Sequence, residues 1–190
     1  MRKIAKEELA EILDKHGKWL RDEEGGELAD LRSADLRSAN LRGSDLRGSD
    51  LRGSDLSYSN LRGSDLRGSD LSYSNLSYSD LSYSNLSYSD LRGSNLRGSN
   101  LSYSNLRGSD LRGSTGQHYI TQRTDGYQFF LVLDESEKWM ILAGCQYMSI
   151  EDYRKHTESY DSEEKRTETN LILDFAEAKL NAMASKEKAA

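Results

Sequence analysis

The sequence predicts a mainly β fold, a solenoid of stacked four-sided coils with a helical N-terminal cap and a small α+β C-terminal cap. Two observations lead to this fold class. Leucine recurs at every fifth position from Leu31 to Leu111, seventeen times without a gap. On either side the five-residue period stops, and an amphipathic helical pattern precedes it while a strand-rich pattern follows it. We therefore expect a cap at 1–27, a solenoid at 28–114 and a second cap at 115–190.

Each five-residue unit reads small residue, Asp or Asn, Leu and two variable residues, as in Ala29-Asp30-Leu31-Arg32-Ser33. A period of five fits neither the 3.6 residues of a helical turn nor the alternation of a long strand. It fits a short extended side followed by a corner, with the leucine and the small residue pointing inward. Four such sides make a coil of about twenty residues, and stacked coils bury a continuous column of leucines. We expect this structural core to contain Leu31, Leu36, Leu41, Leu46, Leu51, Leu56, Leu61, Leu66, Leu71, Leu76, Leu81, Leu86, Leu91, Leu96, Leu101, Leu106 and Leu111.

This frame is similar to the pentapeptide-repeat family, over roughly residues 28–115. The resemblance implies a right-handed quadrilateral β-solenoid. The stretch around His16-Gly17-Lys18-Trp19 resembles the helical cap of some members, and the C-terminal segment resembles, more weakly, domains attached to phage-type members. Some members mimic duplex DNA with an acidic rod and occupy a topoisomerase, so the resemblance also implies a DNA-mimic inhibitor as an alternative function.

One position departs from the family pattern. The residue two before each leucine is Ala at 29, 34 and 39, and Ser at all fourteen later positions from Ser44 to Ser109. A buried hydroxyl needs a hydrogen-bond partner. We expect that partner to be a backbone carbonyl of the next coil, and we expect a weaker core than alanine would give.

The variable positions of the repeat indicate a sequence that was engineered. After the leading Arg-Ser units, the two corner residues read either Arg-Gly or Ser-Tyr. Genetic drift and duplication do not usually leave two alternative corner sequences in a mirrored order along a repeat. We therefore interpret the repeat as an engineered consensus between natural-looking caps. Disorder is the alternative for a Gly/Ser-rich repeat, and the strict leucine spacing opposes it. The Ser-Tyr corners follow Leu56, Leu71, Leu76, Leu81, Leu86 and Leu101, an order that is the same in both directions.

Charge is divided unevenly along the chain. The repeat carries eleven Arg and ten Asp, a balance of +1, while the other segments hold 15 basic and 22 acidic residues, a balance of −7, which together give the net charge of −6. A nearly neutral rod with many arginines is a poor mimic of duplex DNA. No long apolar run and no signal-peptide pattern is present, and we expect a cytoplasmic protein without a membrane partner.

The caps show ordinary patterns. Residues 3–22 read as an amphipathic helix over the open end of the first coil. Its apolar stripe would be Ile4, Leu9, Ile12, Leu13 and Leu20. After Ser114 we expect strands at 118–121, 127–133 and 139–145, the last two forming a hairpin around the loop 134–138. The first of these strands would pair with the last coil.

Two helices are predicted to close the chain. Ser149, with Asp152 three residues later, predicts a helix over 150–160, and Ser162 predicts a longer one to about Met183. The inward face of the longer helix would hold Leu171, Ile172, Phe175, Ala176 and Leu180.

Catalysis finds little support in the sequence. His16, His118 and His156 lie in separate elements without metal-ligand spacing, and Cys145 at the end of an apolar strand reads as a packed thiol rather than a nucleophile. We expect no enzyme activity, no cofactor and no metal.

The strongest functional feature is aromatic. Residues twenty apart should lie about 4.8 Å apart on one side of the solenoid, so Tyr58 should stack under Tyr78, and Tyr83 under Tyr103. We predict an exposed binding patch for an unknown protein or for a second copy, since Tyr and Ser suit recognition. Rings that only stabilise the coil and a surface that binds single-stranded nucleic acid remain open as alternatives. The patch consists of Tyr58, Tyr73, Tyr78, Tyr83, Tyr88 and Tyr103.

Overall fold

A computed structural model describes residues 1–122, 128–133, 138–143 and 146–187. Residues 134–137 of the predicted loop 134–138, together with Cys145, lie outside the described residues. The elements are β1 (Arg2–Lys3), α1 (Lys6–Trp19), β2 (Ala34–Asp35), β3 (Gln117–Gln122), β4 (Gln128–Leu133), β5 (Trp139–Ala143), β6 (Gln146–Met148), α2 (Ile150–Thr157) and α3 (Glu163–Glu187).

The repeat forms a coil in which residues twenty apart pair in parallel, from Asp30 with Asp50 to Asn95 with Thr115. The N–H of Leu46 donates to the carbonyl of Asp65 at 2.7 Å, and the N–H of Asp65 donates to the carbonyl of Ser44 at 2.9 Å. Similar bonds recur along the repeat, with the leucine N–H donating to the next coil from Leu31 through Leu96. The acid or amide position thus makes the contact between coils, and each side is too short to form a longer strand.

A tight turn ends each side. The N–H of Ser49 donates to the carbonyl of Leu46 at 3.1 Å, and the turn residue Gly48 has a φ of 68°. A positive φ at the third residue of a turn favours glycine. The corners stack in four columns: column I (32–33, 52–53, 72–73, 92–93 and 112–113), column II (37–38, 57–58, 77–78 and 97–98), column III (42–43, 62–63, 82–83 and 102–103) and column IV (47–48, 67–68, 87–88 and 107–108).

The structure places all seventeen leucines inside the coil, from Leu31, which is fully buried, to Leu111, which is 8% exposed. The serine hydroxyls behave differently from our expectation. Ser49 Oγ donates to the carbonyl of Leu46, three residues earlier in the same coil, at 2.7 Å, and not to the next coil. The turn brings these two groups together, because the same carbonyl also accepts the N–H of Ser49.

The N-terminal cap is shorter as a helix than predicted. The helix α1 spans Lys6–Trp19, and the two residues of β1 pair in parallel with β2 beneath the first coil. Side chains of Ile4, Leu9, Ile12 and Leu13 pack on the end of the leucine column. The cap therefore covers both the backbone edge and the apolar end.

Four antiparallel strands in the order β3-β4-β5-β6 form the C-terminal sheet. The predicted hairpin corresponds to β4 and β5, with Phe130 opposite Leu142. Alternate residues point to opposite faces. Phe130, Val132 and Leu142 join the leucine column. Phe129, Leu131, Ile141 and Ala143 pack instead with Tyr153, Ile172, Leu173 and Ala176 of α2 and α3.

The last two helices begin where predicted. Ser149 caps α2 by accepting the N–H of Asp152 at 3.0 Å. In α3, however, Leu171 and Phe175 are 63% and 55% exposed, so the predicted inward face was wrong for these two residues. The stripe that packs on the sheet contains Ile172, Leu173 and Ala176, and 100° per residue turns Leu171 and Phe175 away from it.

Among the described residues, no helix combines the length and the apolar character that a membrane span requires.

Candidate interaction surface

The six predicted tyrosines form an exposed patch, which we call the tyrosine patch: Tyr58, Tyr73, Tyr78, Tyr83, Tyr88 and Tyr103. Their side chains are between 45% and 77% exposed. One coil contributes a tyrosine to every column, at Tyr73, Tyr78, Tyr83 and Tyr88. Tyr58 extends the patch by one coil in column II, and Tyr103 extends it by one coil in column III. The patch is therefore a belt with two extensions.

Each of these tyrosines has a left-handed backbone, with φ between 57° and 60°. This conformation brings Cβ close to a carbonyl oxygen and costs roughly 1–2 kcal/mol for a residue other than glycine. Glycine occupies the same corner position in the Arg-Gly units, for example at Gly48 and Gly63. The tyrosines therefore stand at positions where the backbone favours glycine.

Four of the rings stack in pairs, as the twenty-residue spacing predicts. The ring centroids of Tyr58 and Tyr78 lie 5.2 Å apart with an interplanar angle of 11°. Those of Tyr83 and Tyr103 lie 4.9 Å apart at 17°. All four of these tyrosines remain at least 45% exposed despite the stacking.

Three rings lie over glycines of the next coil. A Cβ built on Gly93 would lie 2.7 Å from Cδ1 of Tyr73, and one on Gly108 would lie 2.7 Å from Cδ1 of Tyr88. Gly98 is covered in the same way by Tyr78. A side chain at these glycines would displace the rings, so Gly93, Gly98 and Gly108 act as seats for the patch.

Arg62 also belongs to the surface, and sequence analysis missed it. Its guanidinium carbon lies 4.5 Å from the ring centroid of Tyr83, and its Nη1 donates to Ser82 Oγ at 3.0 Å. Column III therefore carries a stack of guanidinium, ring and ring. The signal in the sequence is Asn60, since most arginines of the repeat follow an aspartate by two residues.

Arginine side chains form ion pairs with most of the aspartates of the repeat. Asp30 accepts Nε and Nη2 of Arg32 at 2.8 and 2.5 Å, and this bidentate contact lowers the pKa of Asp30 to about 2. Asp35 is held in the same way by Arg37, with a pKa of about 2. The seven pairs of this kind are Asp30–Arg32, Asp35–Arg37, Asp45–Arg47, Asp50–Arg52, Asp65–Arg67, Asp90–Arg92 and Asp110–Arg112.

The histidines occupy unrelated places. His16 is buried under the first coil, and burial lowers its pKa. His156 makes edge contacts to Tyr153 and Tyr160 with centroids 5.7 and 5.5 Å apart, while the side chain of His118 lies outside the described residues. In the described part of the chain, no group of His, Cys, Asp and Glu is arranged to hold a metal ion.

Comparison with known proteins identifies the repeat. The sequence model for pentapeptide repeats matches residues 29–68, 49–87 and 74–113, with eight copies. No curated protein is significantly similar to the chain.

Three solved structures that are similar to the chain are described as pentapeptide repeat proteins. One from the Arabidopsis thaliana thylakoid lumen is 27% identical, with 50% of this chain and 66% of that one covered and a TM-score of 0.45. Rfr23 from the cyanobacterium Cyanothece 51142 is 37% identical over 45% of this chain and 58% of its own, with a TM-score of 0.45. A third, from Nostoc PCC 7120, is 33% identical over 60% and 75%, with a TM-score of 0.31. The chain spans less than two thirds of the first two.

Proposed function

We propose a function for a chain whose residues 29–113 belong to the pentapeptide repeat family: a non-enzymatic scaffold that presents the tyrosine patch to a binding partner. In this proposal the sequence is an engineered consensus and the coil is a right-handed quadrilateral β-solenoid. The leucine column holds the rod, and the corners display the side chains. The partner is a protein surface or a second copy of the chain.

The observation that carries the proposal is the state of Tyr73 and Tyr88. Their side chains are 77% and 65% exposed, and both have a left-handed φ. Neither ring stacks on another aromatic ring within the described part of the chain, in contrast to the two stacked pairs. If the tyrosines served stability alone, glycine would be the better residue at these two corners. Display gives them a role that stabilisation does not.

The chemistry of the belt supports recognition. Tyrosine offers a large, rigid and amphipathic contact area at small entropic cost, and serine fills the gaps between the rings. An exposed aromatic area of this extent is typical of contact surfaces. Duplex mimicry is less well supported, because seven aspartates of the repeat are each bound by an arginine.

The engineered origin is supported by the dipeptides at the corners, which are Arg-Gly or Ser-Tyr. The same two dipeptides occupy every corner beyond the leading Arg-Ser units, and the Ser-Tyr order mirrors itself between Leu76 and Leu81. The mirrored order places the belt on one coil, with the glycine seats Gly93, Gly98 and Gly108 on the next. A design intended to display the belt on one coil would account for both features.

The test replaces all six patch tyrosines by glycine, which copies the corner conformation used elsewhere in the chain. Circular dichroism should keep the signal of the coil, while sedimentation velocity should show lower self-association. Panning of a phage-displayed peptide library on the original chain should enrich peptides that no longer bind the variant. Six Tyr→Phe changes form the matched control and should keep most of the binding.

Two outcomes would contradict the proposal. Unfolding of the six-glycine variant would mean that the rings hold the coil together. Equal peptide binding and equal sedimentation of the original chain and the folded variant would mean that the patch contacts no partner.

A further inference from the structure

Column III differs from the other corner columns in its charges. In seven frames of the repeat an aspartate precedes the arginine by two residues and binds its guanidinium. Arg42 and Arg62 instead follow Asn40 and Asn60. They stand one above the other in column III, about 4.8 Å apart along the coil axis. Arg97 in column II and Arg107 in column IV also follow an asparagine, but each is the only such arginine in its column. Column III therefore has two adjacent positive charges without a preceding aspartate.

Neither guanidinium forms an ion pair within the described part of the chain. Both side chains are exposed. Arg42 has only neutral neighbours at the positions where other arginines meet acids. Arg32, for comparison, reaches Asp50 in the next coil at 3.6 Å, whereas the equivalent neighbour of Arg42 is Asn60.

The two asparagines add NH₂ donors to this pair of arginines, because their side-chain oxygens already accept backbone N–H groups. Asn40 Oδ1 accepts the N–H of Arg42 at 3.3 Å, and Asn60 Oδ1 accepts the N–H of Arg62 at 3.1 Å. Their NH₂ groups have no acceptor among the described residues, unlike that of Asn75, which donates to Asp55 at 3.1 Å. Four side chains of two neighbouring coils thus present hydrogen-bond donors to solvent.

Part of this cluster is held in place. The guanidinium of Arg62 donates to Ser82 Oγ and lies over the ring of Tyr83, 4.5 Å from its centroid. A fixed guanidinium loses less rotational freedom when it binds an anion. The nearest acid in the equivalent inter-coil position is Asp80, whose Oδ1 accepts the N–H of Ser82 at 3.0 Å. Asp80 lies one coil from Arg62 and two coils from Arg42, so it reduces the positive potential more at Arg62 than at Arg42.

We propose that column III binds a tetrahedral oxyanion, with a phosphate group bridging Arg42 and Arg62 and accepting from the NH₂ groups of Asn40 and Asn60. Arginine matches phosphate through two parallel N–H donors. Two arginines with no carboxylate partner provide both the charge and the geometry. The site lies below the stacked rings of Tyr83 and Tyr103 and borders the tyrosine patch, to which Arg62 connects it through the ring of Tyr83.

Column IV supplies a control within the same molecule. Arg47 and Arg67 have the same Arg-Gly-Ser corner and the same spacing, but Asp45 and Asp65 bind them at 2.7 and 2.6 Å. The double change Asn40→Asp and Asn60→Asp gives the arginines of column III the preceding aspartates that column IV has. The reverse double change, Asp45→Asn and Asp65→Asn, gives the arginines of column IV the preceding asparagines that column III has. Both variants use five-residue units that the chain already contains, so both should fold.

The experiment titrates each protein with inorganic phosphate at constant ionic strength and follows the arginine Nε–Hε signals by NMR. In the original chain the signals of Arg42 and Arg62 should shift and saturate, while those of Arg47 and Arg67 stay in place. The Asn→Asp variant should bind at least about tenfold more weakly, and the Asp→Asn variant should gain a second site in column IV. Asp80→Asn should tighten the first site.

Equal shifts in columns III and IV of the original chain would show only general screening and would overturn the site. An unchanged affinity in the Asn→Asp variant would do the same. A thymidine oligonucleotide, compared at equal phosphate concentration, identifies the source of the group. Tighter binding with shifts at Tyr103 assigns it to a nucleic-acid strand, and equal binding assigns it to a small phosphate.

Discussion

At the scale of single residues, the buried serines that stand two before a leucine separate into two kinds. Most of the serines two before a leucine donate Oγ to the leucine carbonyl three residues earlier, at 2.6 to 2.7 Å, as Ser64 does to Leu61. Ser59 and Ser94 are buried as well, but their Oγ atoms have no partner in the described part of the chain. An unsatisfied buried hydroxyl costs about 1–3 kcal/mol, whereas a bonded one contributes about 1 kcal/mol. We therefore expect the loss of stability caused by serine in the core to arise at Ser59 and Ser94.

Ser59→Ala and Ser94→Ala should each raise the free energy of unfolding by about 1 kcal/mol, because each removes an unpaired hydroxyl and adds no cavity. Ser64→Ala is the matched control and should lower it slightly or leave it unchanged. Urea denaturation followed by circular dichroism measures all three. A gain of the same size in all three variants would mean that the bonded hydroxyls also weaken the core, as the sequence alone suggested.

At the scale of elements, those with a repeated signal were predictable. Seventeen leucines in one register predict the coil, because an error at one unit is corrected by the others. The hairpin and the two C-terminal helix starts follow from apolar runs and from Ser149 and Ser162. These signals lie within a few residues of the elements that they specify.

Elements without such a signal were missed. The strand β1 has two residues and no periodicity, and its partner Ala34 is distant in sequence. The inward face of α3 was misassigned because apolar residues are adjacent at Leu171 and Ile172, so that two stripes compete. Packing on the sheet selects the stripe with Ile172 and Leu173. For the tyrosine patch, position and stacking follow from the period, whereas the left-handed backbone and the contact with Arg62 depend on the corner geometry.

A buried histidine joins the N-terminal cap to the first coil. His16 is buried, stacks on Trp19 with centroids 5.8 Å apart, and accepts the N–H of Ala29 through Nδ1 at 3.2 Å. Burial lowers the pKa of His16 below its ordinary 6.5. The charge of Asp45 opposes this shift, and the charge of Arg47 adds to it while the Arg47 backbone opposes it. Protonation of Nδ1 would also remove the bond to Ala29.

Stability of this cap should fall as pH decreases through about 6.5. The detached cap has an ordinary histidine and binds more protons than the folded one, so that acid favours detachment. Amide hydrogen exchange of α1 should accelerate between about pH 7.5 and pH 5. His16→Gln removes the titration and should show a flat profile in this range. A wild-type profile as flat as that of the variant would contradict a role of His16 protonation.

At the scale of the whole molecule, both ends of the leucine column are covered. Ile4, Leu9 and Ile12 lie at one end, and Phe130 and Leu142 lie at the other. An open solenoid end presents unpaired backbone groups together with apolar side chains, and both favour end-to-end association. We therefore expect the two caps to limit the end-to-end assembly of a rod whose coils could otherwise continue into another molecule.

Leu142→Asp should open the C-terminal end. The side chain of Leu142 is 2% exposed, and a carboxylate there would be buried against leucines without a partner, at a cost of several kcal/mol. We expect the C-terminal sheet to detach while the coil keeps its circular-dichroism signal, and sedimentation velocity should show association that increases with concentration. Leu171→Asp on the exposed side of α3 is the matched control and should leave the sedimentation unchanged. Because the tyrosine patch offers a second route to association, the same change in the six-glycine variant separates the two routes. Association that persists there comes from the open end, and its loss there would show that the sheet is not needed to keep the rod monomeric.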